Sequence, residues 1–146
     1  MTQFLTTKSC IHDLPDDLDL GVDGKGKKIE MSCHILADAC CVVFGFSGVV
    51  TGKFLQMWEH TWITTRSGNI VDVYPPGIAS GPILMDGSVG MLTRRVYTPW
   101  SLAEVESYFG EMFRSEAYMN AVRITQSALA RLATAHDREV IREQIA

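Results

Sequence analysis

The amino-acid sequence predicts an α+β fold: an N-terminal helix carrying a candidate nucleophile, packed on a small antiparallel sheet, then a helical C-terminal part. Three observations predict it. Helix-capping residues bracket Cys33–Phe44. Two β-branched and aromatic stretches follow at residues 57–65 and 69–74, joined by a glycine-bearing turn. Helical periodicity then returns after Trp100. With 146 residues and 47% apolar content, the chain suits one domain, residues 1–146, with one core.

Taken in order, residues 1–11 can add a strand or a short helix. Residues 13–28 hold Pro15 and three glycines and turn from acidic to basic, which predicts a loop. Ser32 is a good N-cap for a helix over Cys33–Phe44, and Gly45 a good terminator. Met31 and Leu36 fit the hydrophobic staple around that cap. Ile35, Leu36, Ala39, Cys40, Val42 and Val43 give a broad apolar stripe, so this helix should be largely buried. Residues 46–54 are rich in Val and Gly, and short strands are expected at Ile83–Met85 and 91–97. In the C-terminal part, residues 101–146, Ser101 and Glu104 form a capping box. Leu102, Val105, Phe109 and Met112 recur at helical spacing behind it. Ser115 caps a second helix and Asp137 can start a third. These helices should complete the core.

Composition removes several functions. The formal net charge is −4, and the densest basic cluster is only Lys25, Lys27 and Lys28, so a nucleic-acid groove is not expected. No apolar run is long enough to cross a membrane. Acidic residues within 1–20 stand where a secretory signal would have its apolar core. Reduced thiols and a cytoplasmic setting are therefore expected. Cys33, His34, Cys40, Cys41 and His60 lack the close ligand pairs of a zinc site, so no metal and no other cofactor is expected.

The chemistry concentrates in residues 31–76. Of the four cysteines, Cys33 alone sits at a helix start, where free N–H groups and the helix dipole favour a thiolate. The backbone N–H groups of Cys33 and His34 are placed to stabilise an oxyanion. The side chain of His34 should point about 100° away from Cys33 and not serve it. His60 lies between Trp58 and Trp62 on a predicted strand, and is the candidate base. Asp72 lies on the next strand. If Thr65 faces Asn69 across a three-residue loop with left-handed Gly68, Asp72 falls one diagonal from His60 on the same face. A two-residue turn would put Asp72 on the other face. The three-residue loop is the expectation. Cys33 as nucleophile, His60 as base and Asp72 as its orienting group make an acyl-transfer site. Trp58, Trp62 and Tyr74 are the candidates to line its cleft.

Those residues resemble the transglutaminase-like branch of the papain-like superfamily. The resemblance is carried by Cys33-x-x-x-Ala37 opening a helix, His60-x-Trp62 on a strand, and the turn into Val71-Asp72-Val73. It covers about a third of the chain. It implies a cysteine hydrolase or acyltransferase, with a protein or peptide amide as substrate. The alternative is a non-catalytic protein-binding module on the same fold.

Overall fold

The computed structural model describes residues 2–4, 11, 13–46, 48–66, 68–73, 83–85, 96–133, 135 and 138–139, with residues 2–4 and 83–85 as backbone. In chain order the elements are β1 (Thr2–Phe4), α1 (Cys33–Phe44), β2 (Gly48–Phe54), β3 (Trp58–Thr64), β4 (Ile70–Asp72), β5 (Ile83–Met85), β6 (Tyr97–Pro99), α2 (Leu102–Arg114) and α3 (Glu116–Leu132). The strands form one sheet in the order β1-β5-β4-β3-β2-β6, and every neighbouring pair is antiparallel. The fold is α+β: α1 precedes strands β2–β6, β1 from before it joins the edge of the same sheet, and α2 and α3 follow.

The helix caps act as their residue types dictate. The Ser32 hydroxyl accepts the Ile35 N–H at 3.3 Å, and Gly45 ends α1 with φ of 73°. Ser101 and Glu104 complete a reciprocal capping box on α2. Ser115 caps α3 by accepting the Tyr118 N–H.

Helix α1 is buried on two sides. Leu36, Ala37, Ala39 and Cys40 pack with Ile63, Val71 and Val73 of the sheet region and with Leu129 of α3. Ile35 joins Leu20, Tyr118 and Ala121 in a second contact zone with α3. Small residues at Ala37, Ala39 and Ala121 let α1 lie close to both neighbours. On the opposite face of the sheet, Phe54, Trp62, Ile70 and Tyr97 form a separate cluster.

Two expectations change. Strand β2 was legible only as a Val- and Gly-rich stretch, yet it is one of the two longest strands and pairs along its whole length with β3. Helix α2 does not complete the core as α3 does. Leu102 is 90% exposed and Met112 41% exposed, and α2 fully buries only Gly110. Phe109 packs on Trp100 and His34, and Phe113 on His34 and on Tyr118 of the second contact zone, rather than on the main core. The helix expected from Asp137 lies mostly outside the described residues; within it, Arg138 donates to the Val43 carbonyl at 3.0 Å.

Candidate active site

The β3–β4 connection fixes the site. Thr65 N–H donates to the Asn69 carbonyl at 3.0 Å, and Gly68 N–H to the Thr65 carbonyl at 3.0 Å. Gly68 has φ of 83°, which the three-residue loop requires and which a side chain resists. The strands then pair as Ile63↔Val71 and Thr64↔Ile70. This is the register that turns Asp72 to the face of His60. The imidazole Nε2 lies 2.9 Å from Oδ1 and 2.8 Å from Oδ2 of Asp72. Both side chains are buried.

A buried carboxylate needs donors, since burial without partners is costly. Asp72 has a second one, which the sequence did not disclose. The Tyr97 hydroxyl donates to Oδ2 at 2.7 Å. Burial, then the neighbouring Asp72, push the Tyr97 phenol far above its ordinary range, so it stays a donor. Tyr97 is delivered by β6, which pairs with the end of β2 through Gly52↔Pro99 and Phe54↔Tyr97. A Cβ at residue 52 would lie 2.1 Å from the Thr98 carbonyl oxygen. Glycine at that position is what allows β6 to close on β2.

Cys33 is the first residue of α1 and carries a free, buried thiol. Burial pushes that thiol up, but side-chain hydrogen bonds with His34 and His60, and their charge, outweigh it and hold it down at about 6. For His60, burial pushes the imidazole down. The hydrogen bond to Asp72, the interaction with Cys33 and both opposing charges reverse this and raise it to about 9. Between those values the pair is a thiolate and an imidazolium. Asp72 occupies Nε2, which leaves Nδ1 as the ring nitrogen for the thiol.

The N–H groups of Cys33 and His34 are the first two of the helix and have no intrahelical acceptor. They are the backbone N–H groups that the oxyanion expectation names. The expected orientation of the His34 side chain is corrected: it does interact with Cys33. Its Nδ1 is 2.5 Å from the Thr61 hydroxyl, and its ring packs against Phe109 and Phe113 of α2. The two side chains at the start of α1 both border the place where β3 passes, so a 100° separation does not keep them apart.

The cleft residues fare differently. Trp62 does not line a cleft. It is 1% exposed, and its ring packs beside His60 and Tyr97, because it faces the second apolar cluster. Trp58 is 45% exposed at the outer end of β3. Tyr74 lies outside the described residues. A cavity of about 400 Å³ lies at the start of α1, reaching from Ser32 and His34, the neighbours of Cys33 in sequence, to Ile35, Phe109, Met112 and Tyr118. Lys27, Lys28, Asp23 and Glu30 contribute to its polar side.

The other described thiols lack this setting. Cys40 is fully buried in the core. Cys41 donates to the Phe46 carbonyl at 3.4 Å, and burial followed by Asp38 pushes its thiol up. Cys10 lies outside the described residues. Among the described residues, no group of three or more His, Cys, Asp or Glu side chains is placed to hold a metal. No helix among them is long and apolar enough to cross a membrane. Comparison with protein-family models, curated protein sequences and solved structures finds no match.

Proposed function

We propose that this chain is a thiol-dependent acyl-transfer enzyme acting on a protein or peptide amide, by hydrolysis or by transfer to an amine. The carrying observation is the buried set Cys33–His60–Asp72, with the thiol held at about 6 and the imidazole raised to about 9. The likeness of residues 31–76 to transglutaminase-like and papain-like cysteine enzymes points the same way.

The Cys33 thiolate attacks the carbonyl carbon, and the carbonyl oxygen gains charge beside the Cys33 and His34 N–H groups. The His60 imidazolium gives its proton to the departing amine as the C–N bond breaks, leaving a thioester. Water or a second amine then attacks the thioester, losing a proton to His60 and releasing Cys33. Asp72 keeps the ring oriented and its cation stable throughout. The cavity between the start of α1 and α2 receives the substrate, and its Ile35, Phe109, Met112 and Tyr118 wall suits an apolar side chain next to the amide. A free thiolate needs a reducing compartment, so the cytoplasm is the setting this reading calls for.

One observation favours a non-catalytic binding module: Cys33 is only 9% exposed. Alkylation by iodoacetamide, followed at each cysteine by mass spectrometry across pH, separates the two readings. Catalysis requires fast, selective labelling of Cys33 with a midpoint near 6, and kcat/KM on a fluorogenic peptide amide should fall below about 6 and above about 9. The acid limb is loss of the thiolate; the alkaline limb is loss of the His60 proton. Labelling of Cys33 no faster than Cys41 would sink the enzyme reading and leave the binding module.

A further inference from the structure

We propose that the open edge of β2 at Gly48–Val50, with the cleft beside it, is a docking slot for an extended peptide segment of another protein. The segment joins the sheet as a strand and places an apolar side chain between α1 and α3. The cleft borders the end of α1 opposite Cys33, at Asp38, Cys41 and Val42, so the slot stands without the acyl-transfer reading.

The backbone supplies the first observation. Strand β2 pairs with β3 from Gly48 to Phe54 without interruption. On its other side, β6 pairs only with Gly52, Lys53 and Phe54, and the Trp100 N–H donates to the Thr51 carbonyl at 3.0 Å. Residue 51 therefore turns its backbone groups away from β3. In an unbroken ladder alternate residues turn the same way, so Val49 presents its N–H and C=O to that side too. Among the described residues, no partner meets them. Gly48, Val49 and Val50 also lack the charges and prolines that usually keep an edge from pairing. The open edge continues the line that β6 occupies.

The side chains supply the second. Thr51 meets the Thr61 hydroxyl, which meets His34 of α1, so Thr51 faces the helices, and Val49, two residues earlier, faces them as well. Val49 lines a cleft of about 530 Å³ with Val42, Met119 and Val122. Val42 is 66% exposed, Met119 40% and Val49 38%, so this apolar wall is open to solvent. In a strand antiparallel to β2, the residue opposite Val49 exchanges both backbone bonds with it and turns its side chain to the same face. That side chain enters the cleft, and the wall selects an apolar one. On the rim, Arg123 is exposed and has the Asn120 amide oxygen at 2.7 Å, with no carboxylate partner among the described residues. Asp38, in the same cleft, is held by the Tyr118 hydroxyl. An acidic residue next to the apolar one therefore suits Arg123. A second copy of this chain fits less well. Two β2 edges paired about Val49 would set Phe46 of one copy opposite Gly52 of the other, where Pro99 already pairs. A separate peptide can begin or turn away at that point.

The test is selection of a displayed library of random hexapeptides on the full chain, followed by fluorescence anisotropy of the selected sequences made as labelled peptides. They should carry an apolar residue beside an acidic one and should slow exchange of the Val49 amide proton, read by NMR. Val49→Pro removes the outward donor and spares the β3 ladder, which Val49 does not bond, so binding should weaken about tenfold, the effect of one hydrogen bond. Val42→Asp charges an exposed wall of the cleft, should weaken binding at least as much, and carries the test if Val49→Pro does not fold. Arg123→Glu should remove the preference for the acidic residue. A selection that yields no binder, or peptides whose affinity survives both Val49→Pro and Val42→Asp, would overturn the slot. Protection of the Val49 amide that rises with protein concentration alone would assign the edge to a second copy and overturn the peptide.

Discussion

At the scale of single residues, the site depends on what each polar group does with its burial. Asp72 sits with no exposure beneath His60, and its two oxygens are covered by the His60 Nε2 and the Tyr97 hydroxyl. The carboxylate therefore orients the imidazole and stabilises its cation, as the raised His60 value reflects. Asp72→Asn should keep the fold, because the amide is isosteric and retains an acceptor for one donor. It removes the charge and lets the amide N–H face the ring, which favours the wrong tautomer. The expected loss in kcat/KM is about 10²- to 10⁴-fold, measured on a fluorogenic peptide amide. The Cys33 labelling midpoint should also rise, since His60 then carries less positive charge. A variant that loses only thermal stability and keeps its rate would make Asp72 a structural acid. Cys33, His60 and Asp72 are legible in the sequence because each has a local cue. Ser32 marks a helix start before Cys33, tryptophans flank His60 on a strand, and Gly68 sets the loop before Asp72. The side chain of His34 was misjudged for the converse reason. Its surroundings are Thr61 and Phe109, which come from β3 and α2, and the helix wheel alone says nothing of them.

At the scale of elements, the site is assembled by two glycines with different duties. Gly68 sets the register of β4 against β3 through its left-handed φ of 83°. Gly52 lets β6 close on β2, which brings Tyr97 over Asp72. The first duty can be read from a Thr-Arg-Ser-Gly-Asn turn between two strand-like segments. The second cannot. Strand β6 is three residues long, and Tyr97 meets a partner 25 residues before it. No local pattern marks either end of that contact. Gly52→Ala is therefore an informative change far in sequence from Cys33. The added methyl would occupy a point 2.1 Å from the Thr98 carbonyl oxygen, and neither backbone can yield without breaking the β2–β6 ladder. We expect a stability loss of about 1–3 kcal/mol, the usual range for overpacking at a rigid site. Activity should fall with it, because Asp72 loses the Tyr97 donor. Chemical denaturation and kcat/KM on the same preparation check both. An alanine variant with unchanged midpoint and rate would show that β6 does not hold the site together.

At the scale of the whole molecule, the three described helices are unequally anchored. Helix α1 buries seven residues between the sheet and α3, and α3 buries five. Helix α2 buries Gly110 alone, with Leu102, Tyr108 and Met112 exposed. Its pattern of apolar residues reads as a core stripe, but periodicity reports only that a helix has an apolar face, not which surface covers it. Here Phe109 and Phe113 reach His34, Phe109 also stacks on Trp100, and Met112 borders the cavity that His34 lines. Few buried contacts mean a low free energy of local opening. Amide hydrogen exchange read by mass spectrometry should therefore show peptides of α2 losing protection well before those of α1 and α3, which should open only with the global fold. Leu102→Asp should leave the melting temperature nearly unchanged, because that side chain is 90% exposed. Phe109→Ala should speed α2 exchange further, since it removes the ring that joins His34 to Trp100. The same opening would release the His34 ring next to Cys33 in sequence, so if α2 limits access to the thiol, Phe109→Ala should also speed its alkylation by a bulky reagent more than by iodoacetamide. Exchange of α2 at the rate of α1 would mean that the helix is part of the global folding unit, and that access to the thiol follows a different route.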